Sequence, residues 1–274
     1  MKIYKTSIGN IIENDGKHYR AKIKNFDRLI NRPSLFNKLQ KEISALQPID
    51  NQEFSLLAPI GTQEVWAAGV TYLRSKTARM EESQASGGAT FYDKVYAAER
   101  PELFFKSTAS RVIGTEGYVR IRKDSTWDVP EPELTLVCNK QGKIVGYSVG
   151  NDMSSRSIEG ENPLYLPQAK SYDGSAAIGP CIYVPEKPIK RDAYIKMQIL
   201  RDKKVVFEGQ TTINQMKRSH KELVGFLFKE MSFPQGVFLM TGTCVVPDND
   251  FTLRSNDVVE IEIEEIGLLR NTVA

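Results

Sequence analysis

Leu35, Phe36, Leu39, Ile43 and Leu46 recur at helical spacing between Pro33 and Pro48 and predict a helix near the N-terminus. Gln47-Pro48-Ile49-Asp50-Asn51 then reads as a breaker. A boundary is placed there, giving a small N-terminal unit over residues 1–62 and a main domain over 63–274. The apolar run Val65-Trp66-Ala67-Ala68-Gly69-Val70 predicts a buried strand. A polar stretch follows from Arg74 to Glu99, interrupted by Gly87-Gly88, and reads as two helices or as a helix and a loop. Segment 77–92 is either a lid over a binding site or an ordinary surface excursion.

From residue 103 the pattern turns to strands. Leu103-Phe104-Phe105, Tyr118 to Arg122, Leu134 to Val137 and Ile144 to Val149 are strand-like, as are Cys181 to Val184, Tyr194 to Leu200, Lys204 to Phe207 and Val258 to Ile263. Asn139-Lys140-Gln141-Gly142 predicts the turn of a hairpin. Ser219-His220-Lys221-Glu222 forms a capping box before Leu223, Phe226 and Leu227, and so predicts a helix. Many strands with few helices give an α+β class, rich in β, rather than a doubly wound sheet. The phosphate-cradling glycine fingerprints are missing.

Composition narrows the function. The chain of 274 residues is 41% hydrophobic and 26% charged, with a net charge of +3. That charge is too small, and its basic residues too scattered, to point to nucleic acid. Lys203-Lys204 and Lys217-Arg218 are expected at the solvated surface. No window reaches the roughly 20 apolar residues of a membrane span, and the N-terminus has no signal-peptide core. Cys138, Cys181 and Cys244 are far apart, with no C-x-x-C, and are expected as buried apolar residues in a reducing compartment. The cytoplasm is the expected location.

The candidate chemistry lies in Trp127-Asp128-Val129-Pro130-Glu131-Pro132-Glu133. The two prolines favour extended chain, where positions two apart share a face, so Glu131 and Glu133 project side by side. Adjacent carboxylates repel, and a hard dication relieves the repulsion. A solvated pair on an exposed strand is the alternative. Asp152 lies past the end of the predicted hairpin, beside the two glutamates, so a site of three carboxylates is geometrically reasonable. His18 and His220, the only two histidines, are expected at the surface and too far apart for a histidine-rich zinc site.

Pro101-Glu102-Leu103-Phe104-Phe105-Lys106, Pro130-Glu131-Pro132-Glu133-Leu134 and Gly150-Asn151-Asp152-Met153-Ser154-Ser155-Arg156 together resemble the core of the fumarylacetoacetate hydrolase family, over residues 65 to 265. The resemblance implies a β-roll or mixed-sheet core behind a small N-terminal α/β domain. It implies Mg²⁺ on Glu131, Glu133 and Asp152, with Ca²⁺ or Mn²⁺ as substitutes, a small 2-keto acid as substrate, and a homodimer or homotetramer. Trp66 to Tyr72, Ala78 to Ser83 and Ile158 to Lys170 are similar to the family's 2-keto-3-deoxy-D-arabinonate dehydratase branch, which implies loss of water from a 2-keto-3-deoxy pentonate to give 2,5-dioxopentanoate.

With that substrate, Lys170 is expected to transfer a proton or to stabilise the enolate, and Glu81 and Glu159 are candidates for the remaining acid/base role. Lys106, Arg79, Arg156 and Thr243 are expected to bind the substrate. Surface positions are the alternative for Lys170, Glu81 and Glu159. Met240-Thr241-Gly242-Thr243 resembles a family element, but Cys244-Val245-Val246-Pro247 replaces the Pro-x-Gly that usually follows. Two rival functions stay open: hydrolysis or decarboxylation of an acylpyruvate-like or oxaloacetate-like acid, and a non-catalytic module with a structural ion.

Overall fold

The computed structural model describes residues 1–49, 54–72 and 94–274. Arg79, Glu81 and segment 77–92 lie outside the described residues. The fold is mixed α+β and rich in strand, with two main sheets and a two-stranded ribbon.

The larger sheet is built on the hairpin read from the sequence. Strands Pro132–Cys138 and Ile144–Asp152 pair antiparallel, with Leu134 opposite Val149 and Pro132 opposite Asn151. Their turn closes where the Gly142 N–H donates to the Asn139 carbonyl at 2.9 Å, with Gly142 at φ +67. That left-handed conformation suits a residue without Cβ. Ala176–Tyr183 flanks the hairpin on one side and Val237–Met240 on the other. Glu64–Gly69 adds parallel to Val237–Met240, and Glu102–Thr108 then pairs with Glu64–Gly69.

Three N-terminal strands, Lys2–Thr6, Gly9–Asn14 and Lys17–Arg20, extend the same sheet, because Lys2–Thr6 pairs with Ala176–Tyr183. Hydrogen bonding is therefore continuous across residue 62. The pattern along the chain marked none of these three strands. Their partners are distant in sequence, and their alternation is masked by lysines and asparagines.

Period-two alternation assigns the two faces. Leu134, Leu136, Tyr147 and Val149 face a second sheet of five strands, where Met197, Ile199, Val259 and Ile261 complete a common core. Val137, Ile178, Phe238 and Met240 face the other way, onto Leu29, Leu35 and Leu39 of helices Phe26–Ile30 and Leu35–Ile43. The large sheet is thus buried on both faces. This explains why Pro132–Cys138 is buried at all seven positions.

The capping box at Ser219 is present in full and starts helix His220–Leu227. Four expectations need correction. Tyr118–Val119 is a strand of only two residues, because Ile121 and Arg122 leave the sheet. Arg218 is buried at 6% exposure instead of solvated, because backbone carbonyls and Glu222 surround its guanidinium. His220 is only partly exposed: it packs 6.2 Å from the Tyr147 ring, and burial together with Arg191 pushes its pKa down to about 4. Cys244 is part-exposed, while Cys138 and Cys181 are buried.

Candidate metal centre and active site

Glu131 and Glu133 enter the fold where Pro130 and Pro132 hold the chain extended into the strand Pro132–Cys138. On the neighbouring strand the Asp152 N–H donates to the Glu131 carbonyl at 2.9 Å, which places the two residues opposite each other. Glu133 lies opposite Gly150. A Cβ at Gly150 would come within 2.3 Å of Thr135 Oγ1, so the bare backbone keeps this face open beside Glu133. One oxygen from each of Glu131, Glu133 and Asp152 lies within 4.8 Å of the others. All three residues are buried, at 4%, 1% and 1% exposure.

Three buried cations answer the three carboxylates. Lys106 Nζ lies 2.5 Å from Asp152 Oδ1 and donates to the backbone carbonyls of Met153 and Lys170. Lys170 Nζ donates to Glu131 Oε2 at 2.8 Å, Asp152 Oδ2 at 3.4 Å and Ser154 Oγ at 2.5 Å. Arg156 Nη2 donates to Glu131 Oε1 at 2.6 Å.

Each cation is delivered by a local structural device. Lys106 falls at the register shift between Glu102–Thr108 and its partner strand, where Ser107 and Phe105 oppose consecutive residues. Such a bulge re-aims a side chain. Arg156 opens helix Arg156–Glu161, behind Ser155 as N-cap, and its own N–H donates to the Trp127 carbonyl at 2.7 Å. Lys170 closes helix Leu166–Lys170.

Glu133 is held by backbone: its Oε2 accepts the Gly242 N–H at 2.7 Å. Burial, then Asp152 and Glu131, hold its carboxyl well above the ordinary glutamate range. Burial pulls the Lys106 ammonium below the ordinary lysine range, and Asp152 opposes that shift. A buried, oxygen-only set containing one carboxyl that resists ionisation fits a hard dication, which would relieve the repulsion.

The cluster opens into a small cavity walled by Phe104, Gly69, Val70, Thr243, Cys244 and Val246. Arg156 and Thr243 also line it. Lys106 and Lys170 stand behind the carboxylates, fully buried. Glu159 is buried at 1% exposure on the helix that Arg156 opens.

Four participants were not singled out from the sequence: Ser154, Phe104, Gly242 and Glu102. Period-two counting back from the bulge at Lys106 could have found Phe104 and Glu102, which share a face of their strand. Glu102 pairs with the wall residue Gly69, and its Oε2 is buried with no hydrogen-bond partner among the described residues. The carboxylate lies so close to Gly69 that a Cβ there would meet Glu102 Oε2 at 1.9 Å.

A strand-rich α+β core carrying a buried Glu-Glu-Asp cluster and buried lysines defines a metal-binding enzyme class, and the comparisons name it. Residues 65–274 match the family described as Fumarylacetoacetate (FAA) hydrolase C-terminal, and the chain belongs to that family. It is 48% identical over 216 residues to the Haloferax volcanii protein named "Probable 2-keto-3-deoxyxylonate dehydratase", a match covering 78% of this chain and 73% of that one. It is 41% identical over 230 residues to the 2-dehydro-3-deoxy-D-arabinonate dehydratase of Saccharolobus solfataricus, covering 82% and 76%. A solved 2-keto-3-deoxy-D-arabinonate dehydratase, complexed with magnesium and 2,5-dioxopentanoate, superposes with a TM-score of 0.85 at 32% identity, over 100% of this chain and 98% of that one.

Proposed function

We propose that this protein is a Mg²⁺-dependent dehydratase that converts a 2-keto-3-deoxy pentonate, 2-dehydro-3-deoxy-D-arabinonate, to 2,5-dioxopentanoate in sugar acid catabolism. The observation that carries the reading is the buried triad of Glu131, Glu133 and Asp152 lining a small cavity, with buried lysines behind it. Relatives named for this reaction support it.

Glu131, Glu133 and Asp152 would hold the dication; Mg²⁺ is the assigned ion, and Mn²⁺ or Ca²⁺ are substitutes. When bound, it supplies Lewis-acid stabilisation of negative charge on the substrate's C2 oxygen. The charge balance shows why the protein needs its cations as well. The three carboxylates and the ammonium and guanidinium groups of Lys106, Lys170 and Arg156 cancel. A dication leaves the site at +2; release of one proton from the Lys170 ammonium, which must precede its taking the C3 proton, leaves +1 to accommodate a carboxylate substrate.

Lys170, steered by Ser154, is assigned the proton taken from C3. Glu102, whose buried oxygen has no partner among the described residues, is assigned the proton delivered to the departing C4 hydroxyl; a proton then passes from C5 to C3, and the C4–C5 enol so formed tautomerises to the C5 aldehyde of 2,5-dioxopentanoate. Glu159 stays in the acid/base set as a buried carboxyl on the helix of Arg156, as does Glu81. Arg156, Arg79 and Thr243 are assigned to the substrate, with Lys106 holding Asp152. The wall of Phe104, Val70 and Val246 excludes water from the reacting carbons.

We also assign a small unit over residues 1–62 and a catalytic unit over 63–274, a homodimer or homotetramer, and a cytoplasmic location. Cys138, Cys181 and Cys244 form no disulfide, which supports the last. No described helix is long and apolar enough to cross a membrane.

The test is incubation with a panel of 2-keto-3-deoxy sugar acids, oxaloacetate and acylpyruvates, with and without chelator, and product identification by mass. Loss of 18 mass units from the pentonate, abolished by chelator, is expected (about 18 Da for one water, from the stoichiometry of the lyase step). Turnover of oxaloacetate or acylpyruvates alone would replace dehydration with decarboxylation or hydrolysis. Metal binding without any turnover would leave a structural ion.

A further inference from the structure

Gly69 and Glu102 form the last rung between their strands. Beyond it the two chains diverge, and no ladder ties Thr71 and Tyr72 to residues 94–99. A separate tripeptide, Met216-Lys217-Arg218, holds both. Tyr72 bridges to Met216, and the Lys217 N–H donates to the Thr71 carbonyl at 3.0 Å. On the other chain, Arg218 Nη1 donates to the Glu99 carbonyl at 2.8 Å, while Nη2 donates to the carbonyls of Ala98 at 2.6 Å and Val95 at 3.2 Å. The Lys217 ammonium sits 4.3 Å from the Tyr96 ring centroid and donates to the Tyr96 carbonyl.

Arg218 is built into place. It is 6% exposed, and Nη1 lies 2.6 Å from Glu222 Oε1, the carboxylate that also closes the capping box of helix His220–Leu227. A planar guanidinium serving three carbonyls and a carboxylate fixes direction as well as distance. The carbonyls it holds end three residues before Glu102. On the opposite chain, Thr71 Oγ1 donates to the Thr241 carbonyl at 2.7 Å and packs against Gly242, the residue whose N–H binds Glu133. The same tripeptide thus braces the approach to Glu102 and the backbone beside Glu133. Arg218 does not line the cavity.

We infer that Arg218 is a positioning residue that sets the Glu102 carboxyl against Gly69 at the cavity wall by gripping the backbone that leads into its strand. The inference rests on the acid role assigned to Glu102 above, and a double-mutant cycle on the full chain separates the two.

The variants are Arg218→Gln, Glu102→Gln and the pair, assayed with the pentonate at saturating Mg²⁺. Arg218→Gln is expected to lower kcat by about 10- to 100-fold, the order that a misplaced catalytic group costs. Its KM and its Mg²⁺ titration midpoint should stay within about twofold, since the three ligands come from other strands. In the Glu102→Gln background the same change should slow turnover by no more than about twofold, because an effect exerted through Glu102 is already lost. Arg218→Lys, keeping the charge without the fork, should fall between wild type and Arg218→Gln. If Arg218→Gln does not fold, Arg218→Lys carries the same cycle.

A full multiplicative loss in the double variant, or equal losses in kcat and metal affinity, overturns the positioning role. A Glu102→Gln variant as active as wild type instead refutes the assignment of the acid, and Arg218 as its positioner falls with it.

Discussion

Lys106→Met removes one of the three cations facing the carboxylates and keeps most of the side chain's length. The ammonium is 2.5 Å from Asp152 Oδ1, and both side chains are exposed by 1% or less. Breaking a buried ion pair by deleting one partner costs about 3–5 kcal/mol, so in chelator the variant should be less stable than wild type by that order. The charge balance makes the same change a test of the metal site. With an ion bound and all three carboxyls ionised, only Lys170 and Arg156 then offset them, so the protein side of the site carries −1 where wild type is neutral. At an effective dielectric of about 20, a unit charge roughly 4 Å away is worth about 4 kcal/mol. That exceeds the roughly 1.4 kcal/mol behind a tenfold change in Kd.

Mg²⁺ should therefore bind Lys106→Met at least about tenfold more tightly than wild type, while the 2-keto acid, drawn by positive charge, binds more weakly. Mg²⁺ at about 100 times its Kd should also return roughly 2.7 kcal/mol of the lost stability. Denaturant unfolding with chelator and with Mg²⁺, joined to calorimetric titration, reads each quantity. A folded Lys106→Met protein that no longer binds Mg²⁺ would refute the reasoning, since Lys106 would then be building the ion site and not balancing its charge.

Other outcomes follow from individual groups. The Glu133 carboxyl is held well above its ordinary value, so a dication must displace its proton; Mg²⁺ affinity should weaken as pH falls, by up to about tenfold per pH unit, and calorimetry in buffers of different ionisation enthalpy should detect the released proton. The sign is opposite for chelator-treated protein, where the native state binds the extra proton, so Glu133 makes stability fall as pH rises through its folded value. Gly242→Ala should lower Mg²⁺ affinity, because Gly242 has φ +92 and a Cβ would meet Thr71 Oγ1 at 2.0 Å and the Ala68 carbonyl at 2.9 Å, displacing the N–H that holds Glu133; unchanged titrations would count against that link. His220 is lowered to about 4. The unfolded chain therefore takes up the proton first, and stability should drop by up to about 3 kcal/mol between pH 6.5 and pH 4; His220→Gln should flatten that part of the melting curve.

The carboxylate cluster was more legible in the sequence than the sheet that carries it. Glu131 and Glu133 are two apart in extended chain, and Asp152 comes after a hairpin whose turn residues mark its register. Two local rules were enough to bring three carboxylates together. The cations are different in kind. Lys106 depends on a bulge, and Lys170 on a short helix that packs its last residue inward, so neither direction can be counted from periodicity. The N-terminal strands depend on pairing with Ala176–Tyr183, more than 170 residues away, and local pattern carries no signal of that. Arg218 and His220 show the same limit. A charged residue at the start of a capped helix reads as solvated until another chain segment is found lying across it.

Anomalous diffraction from crystals soaked with Mn²⁺ and pyruvate would test the site most directly, since pyruvate offers the 2-keto acid end without a C4 hydroxyl to lose. A single ion peak touching one oxygen from each of Glu131, Glu133 and Asp152, with the pyruvate carboxylate and keto oxygens both on the ion, is the expected map. Pyruvate bound elsewhere, or Glu131 and Asp152 still paired with Lys106, Lys170 and Arg156 around no ion at saturating metal, would contradict it.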